Sequence, residues 1–470
     1  MKNKHLLTLA VGLLGASALM ASDVHVYLTG STAFRANAYN AAKNLFSNTP
    51  AIYYGDANHG GANSGQGSST AAWVMVGTPI TNITALAGNT LHIHGLFTGS
   101  IQGIESVELQ QPLVWADDAQ GVNGNGTAVG YVTNVPTLAF DDCSSKVTTY
   151  PVSGNYDEEP VAVIPFAFYK SIASGAGANI MTNITGVSWE QAEYGIPKGR
   201  IPLSAWTYKS ADTNIFIYML QRTQDSGTRR AELGCLYYQY NDPVGCYLFD
   251  SVNGVWYLPS VLNGTANATP YATAPYGVVN GGTVNSANYN WGYGYVGGGD
   301  IAKALNIGAN TSVSTVSNTA IAYLSLSDGK GISLSMNWTN LLPFNGIYPT
   351  VAGAAISGQP SSNTNDFSPI TQGYYPLWSQ IVIVFPIKPS LQAGQTIGDS
   401  QLGSQSVAGT FLGVFNAQTT ITGGSPTNNV GSIENEIYKT ENGVNGPNTA
   451  IRLISMKSNR QSVGGTISPF

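Results

Sequence analysis

The chain has 470 residues, which is enough for two or three domains of ordinary size and a sizeable buried core. Only 9% of them are Asp, Glu, Lys or Arg, against about a quarter in a typical soluble protein. The 19 basic residues are too thinly spread to displace the counterions of a nucleic acid, so the composition excludes a nucleic-acid partner. With 43% hydrophobic residues, 26 Tyr and 55 Gly, the chain reads as a globular, sheet-rich and loop-rich protein with a neutral polar surface.

At the N-terminus, Lys2 and Lys4 precede an apolar stretch from Leu6 to Met20, and Ala18 and Ala21 offer small residues for cleavage. Residues 1–21 therefore read as a secretory signal peptide. Removing it leaves a soluble chain with no membrane insertion, in the periplasm or outside the cell. Val24 to Leu28 alternates as a strand, Thr29 to Thr32 makes a turn, and Ala33 to Phe46 is helix-forming, with Ser31 or Thr32 placed to cap it. Such a turn gathers free N–H groups and the positive end of a helix dipole, which suits an anion.

Tyr54 to Asn89, Asn263 to Asn290 and Gly353 to Asn365 are rich in Gly, Asn, Ser and Thr and read as surface loops or small β insertions. Strands are expected at Thr137–Phe140, Val161–Tyr169, Ile215–Leu220, Ala320–Leu326 and Gln380–Phe385. Helices are expected at Ser188–Tyr194, Thr228–Tyr240 and Asp300–Leu305. This alternation implies an α/β fold. The tail over 390–470 reads as extended or β structure.

His92 and His94 share a strand face, but two ligands are too few for a metal. No Cys-x-x-Cys pair is present, so neither a metal site nor a cofactor is expected. Cys235 and Cys246 are close enough in sequence to close a small disulfide loop, with three buried thiols as the alternative. A hydrolase is disfavoured, because no nucleophile elbow or His-Glu-x-x-His motif occurs. Binding without catalysis is the expectation.

The chemistry concentrates at Arg222 and Ser226-Gly227-Thr228. A guanidinium offers a permanently charged fork for two oxygens, hydroxyls add neutral donors, and Gly227 lets backbone approach a ligand at a helix start. Taken alone, this is also what a capped helix beside a surface arginine looks like. The similarly built turn at Gly30 to Ala33 favours binding.

Five segments in order resemble the periplasmic phosphate-binding proteins of ABC transporters, a branch of the type II periplasmic binding proteins. They are Leu28-Thr29-Gly30-Ser31-Thr32-Ala33-Phe34, the run Gly95 to Gly103, Leu138-Ala139-Phe140-Asp141-Asp142, Arg222 to Thr228, and Val296-Gly297-Gly298-Gly299. The resemblance implies two α/β lobes joined by a hinge, with lobe 1 from 22–168 and 325–389 and lobe 2 from 169–324. It also implies a phosphate-like oxyanion held between Ser31, Thr32, Ala33, Ser100 and Asp142 on one wall and Arg222, Ser226, Gly227 and Thr228 on the other. An ABC permease is the implied partner. Asp142 corresponds to an acid that reads the ligand's proton, with Asp141 as the competing choice. The chain departs from the family pattern at Gln224, where an acid is usual, and at Asp225, where Gly is usual. The alternative reading is an extracellular structural or interaction protein that reuses the fold, suggested by the low charge and the long insertions.

Overall fold

The computed structural model describes residues 23–56, 70–122, 128–148, 150, 156–172, 175–239, 242, 244–250, 294–295, 297–310, 319–329, 340–350 and 366–386, positions 82, 84 and 85 excepted. It also describes short pieces between 255 and 290 and after 411. The expected signal peptide and the loop Gly353–Asn365 lie outside the described residues.

The frame is an 11-stranded mixed sheet. Its strands are β1 (Asp23–Gly30), β2 (Ala51–Tyr54), β3 (Ala72–Gly77), β4 (Thr90–Leu96), β7 (Leu138–Asp141), β8 (Tyr156–Lys170), β9 (Arg200–Pro202), β10 (Phe216–Leu220), β11 (Ala320–Ser325), β12 (Leu341–Leu342) and β13 (Trp378–Pro386). They run in the order β2-β3-β4-β1-β7-β13-β8-β11-β10-β9, with β12 also on β8. A separate hairpin of β5 (Leu113–Val122) and β6 (Ala128–Asn134) stands off this sheet. Two parallel groups, β4-β1-β7 and β11-β10, form the two halves. The long strand β8 joins them: Tyr156 to Pro165 pairs with β13, and Phe166 to Lys170 pairs with β11. Its residues Val161 to Tyr169 are buried without alternation, as expected of a strand covered on both faces.

Helices follow the strands that deliver the site. They are α1 (Arg35–Lys43), α2 (Ser100–Glu108), α3 (Trp189–Lys198), α4 (Gly227–Cys235) and α5 (Gly298–Asn310). The expected helix at Ser188 begins with a reciprocal Ser188/Gln191 capping box and extends to Lys198, where Gly199 ends it at φ 67°.

Three expectations change. Within the Tyr54–Asn89 stretch, the run Ala72-Trp73-Val74-Met75-Val76-Gly77 is a sheet strand, with Trp73 and Met75 fully buried. Its polar flanks hid a short apolar segment. The tail, expected to be extended or β, has helical residues at 411, 413–415, 433 and 436–437, and its Phe411, Phe415, Ile433, Ile437 and Ile451 are buried in the main core. Phe415 meets Phe140 edge-on at 5.3 Å, and Ile451 exchanges backbone hydrogen bonds with Val163. The expected Cys235–Cys246 disulfide is absent, and all three cysteines are buried thiols. Cys246 Sγ accepts from Gln221 N–H at 3.3 Å, whereas Cys235 Sγ donates to the Trp378 carbonyl at 3.6 Å, so each sulfur is engaged by a different strand. Among the described residues no helix is long and apolar enough to cross a membrane.

Candidate functional site

The two halves meet where β1, β4, β7 and β10 end. Past β1, Gly30 turns at φ 124°, and a side chain there would collide with the Phe140 backbone. Ser31 N–H donates to the Phe140 carbonyl at 2.6 Å, and Ser31 Oγ accepts from Ala33 N–H at 3.1 Å. The turn is therefore tied to β7. It does not cap α1 as expected, because the N-cap is Phe34, without a side-chain bond. Thr32 is only half-buried, and the Ala33 carbonyl accepts from Ser327 Oγ at 3.3 Å.

Ser100 opens α2 after β4. Its hydroxyl donates to Asp142 Oδ1 and accepts from Asp142 N–H at 3.2 Å. From the other half, Ser226 caps α4 by accepting from Arg229 N–H at 3.4 Å, and Gly227 and Thr228 form the first turn. A side chain on Gly227 would strike Asp142 Oδ1 and Ser100 Oγ. Thr228 Oγ1 donates to Asp142 Oδ2 at 3.1 Å and accepts from Arg222 Nη1 at 3.4 Å. Arg222 leaves β10, is 4% exposed, and donates through Nε to the Tyr295 carbonyl at 3.3 Å. Ser31, Ser100, Asp142, Arg222, Gly227 and Thr228 thus converge around one carboxylate.

Asp142 is buried, and that burial pushes its carboxyl up from the ordinary range. Hydrogen bonds from Ser100, Thr228 and Ser31 and the charge of Arg222 pull the other way. Burial also pulls Arg222 down, opposed by Asp328, Asp142 and Asp300. A guanidinium nonetheless keeps its proton. Asp328 and Asp300, which the sequence reading did not single out, make the surroundings of Arg222 more acidic than Asp142 alone would. Asp328 Oδ2 accepts from Ser325 Oγ at 3.0 Å, and Asp300 Oδ2 accepts the Gly297 N–H at 3.1 Å at the start of α5. Only the Val296–Gly299 glycine run signalled this wall.

Asp141, the alternative acid, points elsewhere. Its carboxyl is fully buried against Gly103 of α2 and pushed far above its ordinary value by burial, with no hydrogen-bond partner among the described residues. Burial without a partner favours its neutral form. Gln224 and Asp225 are exposed.

No family model matches the chain, and no curated protein matches it. Among solved structures, the chain is similar to a phosphate-binding protein from Stenotrophomonas maltophilia (13% identity, 92% of this chain and 91% of that one, TM-score 0.36). It is also similar to an ABC-type phosphate transport receptor from Vibrio cholerae (11% identity, 83% and 97%, TM-score 0.33) and to PstS from Borrelia burgdorferi (12% identity, 77% and 87%, TM-score 0.31).

Proposed function

We propose that the protein is an exported solute-binding protein that captures a tetrahedral oxyanion, phosphate first, between two lobes, and that it requires no catalysis. The observation that carries this reading is the convergence of the buried Arg222 guanidinium, the N-terminal turns of α2 and α4, and the Asp142 carboxylate. Fixed donors and a charged fork suit the oxygens of the anion, while a carboxylate suits its proton. In this reading lobe 1 is 22–168 with 325–389 and lobe 2 is 169–324. Tyr156–Lys170 would bend as the lobes part and reclose on the ligand, and an ABC permease would receive the cargo. The signal peptide at 1–21 would place the protein in the periplasm or outside the cell.

A second reading has its own observation. The donors an anion would use are already turned onto Asp142: Ser100 and Thr228 both donate to that carboxylate, which joins the two halves directly. This favours an extracellular structural or interaction protein in which the internal acid stands where a ligand would. Calorimetric titration with phosphate, sulfate and arsenate separates the two. Heat with one-to-one stoichiometry supports capture. No heat with any of the three leaves the structural role.

A further inference from the structure

At the opposite end of β1 lies a second cluster of polar groups, separate from the residues around Asp142. β1 and β4 are parallel and in register, so His25 pairs with His92 and Tyr27 with His94 on one face. The imidazoles of His25 and His92 stack at 4.4 Å, and Asp23 begins the same strand. One ligand atom from each of Asp23, His25 and His92 lies within 4.8 Å of the others.

The surrounding hydrogen bonds set the ring tautomers. The Ala116 carbonyl can only accept, so His94 donates to it through Nδ1 at 2.9 Å. In a neutral imidazole that tautomer leaves Nε2 as a lone pair. That lone pair accepts from His25 Nδ1 at 3.0 Å, which leaves the His25 Nε2 lone pair uncommitted by this chain of bonds. On the other ring, His92 Nδ1 donates to Asp118 Oδ1 at 3.2 Å, while Nε2 faces Asp23 Oδ1 at 3.5 Å, longer than an ordinary hydrogen bond. A carboxylate behind one imidazole nitrogen, with the other turned toward a second carboxylate, is the outer support that orients metal-ligating histidines.

We infer that Asp23, His25 and His92 form a binding site for a divalent first-row cation of the zinc type, with Asp118 and His94 as positioning residues. Two imidazoles and a carboxylate give the three-ligand set that zinc accepts with a fourth position open. Donor bonds of about 2.1 Å place tetrahedral ligand atoms about 3.4 Å apart, close to the present His92–Asp23 separation. Asp23 is 62% exposed and can rotate inward, which also gives the ion a route from solvent. His94 is not a ligand, since both of its nitrogens are engaged. The sequence could not assemble the set, because strand register alone brings residues 23 and 25 to residue 92.

The test is titration of the tag-free full chain, first stripped with a chelator, with zinc chloride by calorimetry and with cobalt chloride by visible absorption. The expected result is one equivalent bound, with the intense d–d bands of four-coordinate cobalt. Asp23→Asn and His92→Gln should each weaken binding by about 10- to 100-fold, as should Asp118→Asn through His92. Asp23 is exposed, so its variant keeps the fold, to be checked by circular dichroism. No saturable binding to the wild type, or affinity unchanged in both Asp23→Asn and His92→Gln, overturns the assignment.

Discussion

Thr228 Oγ1 donates to Asp142 Oδ2 across 3.1 Å, so the first turn of α4 is fastened to the end of β7 by a bond between the two halves of the sheet. Arg222 stands behind that hydroxyl at 3.4 Å, which makes the three residues one charge-assisted chain.

Arg222→Ala should abolish oxyanion binding while leaving the chain folded. Removing one partner of a desolvated charge contact weakens affinity by about 2–5 kcal/mol. Calorimetry with phosphate reads the loss, and circular dichroism reads the fold. Unchanged affinity would remove Arg222 from the site.

Asp142→Asn should narrow the preference for phosphate over sulfate. A carboxylate accepts from a P–OH group and repels an oxygen that carries no proton, whereas an amide can donate to it. Gln224 is exposed, so in the proposed reading Asp142 would be the group that meets the ligand's proton. Equal binding of sulfate and phosphate by the wild type between about pH 6 and 8 would show that no proton is being read.

Gly30→Ala should destabilise the protein by about 1–3 kcal/mol or more, because the new methyl group meets the Phe140 backbone at a φ that L residues avoid. Urea unfolding measures this. A midpoint within error of wild type would mean that the turn relaxes freely.

Glu232 in α4 is buried, and burial raises its carboxyl to about 8, against the Gln221 amide that bonds it at 3.2 Å and the Arg229 charge. The folded chain keeps this proton up to about pH 8, while the unfolded chain loses it near its ordinary value of 4.5. Folding therefore takes up a proton across that window, and this contribution to stability falls as pH rises through it. Glu232→Gln should remove that part of the slope, so its advantage over wild type in urea midpoint grows from acid pH to about pH 8. A constant difference would mean that Glu232 is ionised in the fold.

Thiol titration of denatured, unreduced protein should find three groups, because Cys143, Cys235 and Cys246 are separately buried. Finding one would restore the disulfide.

The elements along the chain followed from local rules. Period-two and period-3.6 apolar patterns marked strands β1, β7, β8, β10, β11 and β13 and helices in the places of α1, α3, α4 and α5, but not α2, which carries Ser100. The candidate site was legible as residue types, since Arg222, Ser226-Gly227-Thr228 and the turn at Gly30 carry their chemistry in short windows. What such windows cannot contain is pairing between distant segments. Only the fold turned Asp142 toward Thr228 and Asp141 toward Gly103, a choice made by the alternation of one strand end between two faces. Only the fold brought Asp328 and Asp300 near Arg222 and packed Phe415 of a Gly-rich and Thr-rich tail against Phe140, with Phe411 against Phe415. Likewise, His25 and His92 meet because β1 and β4 pair in parallel register, and register is set by which face must be buried against the rest of the chain.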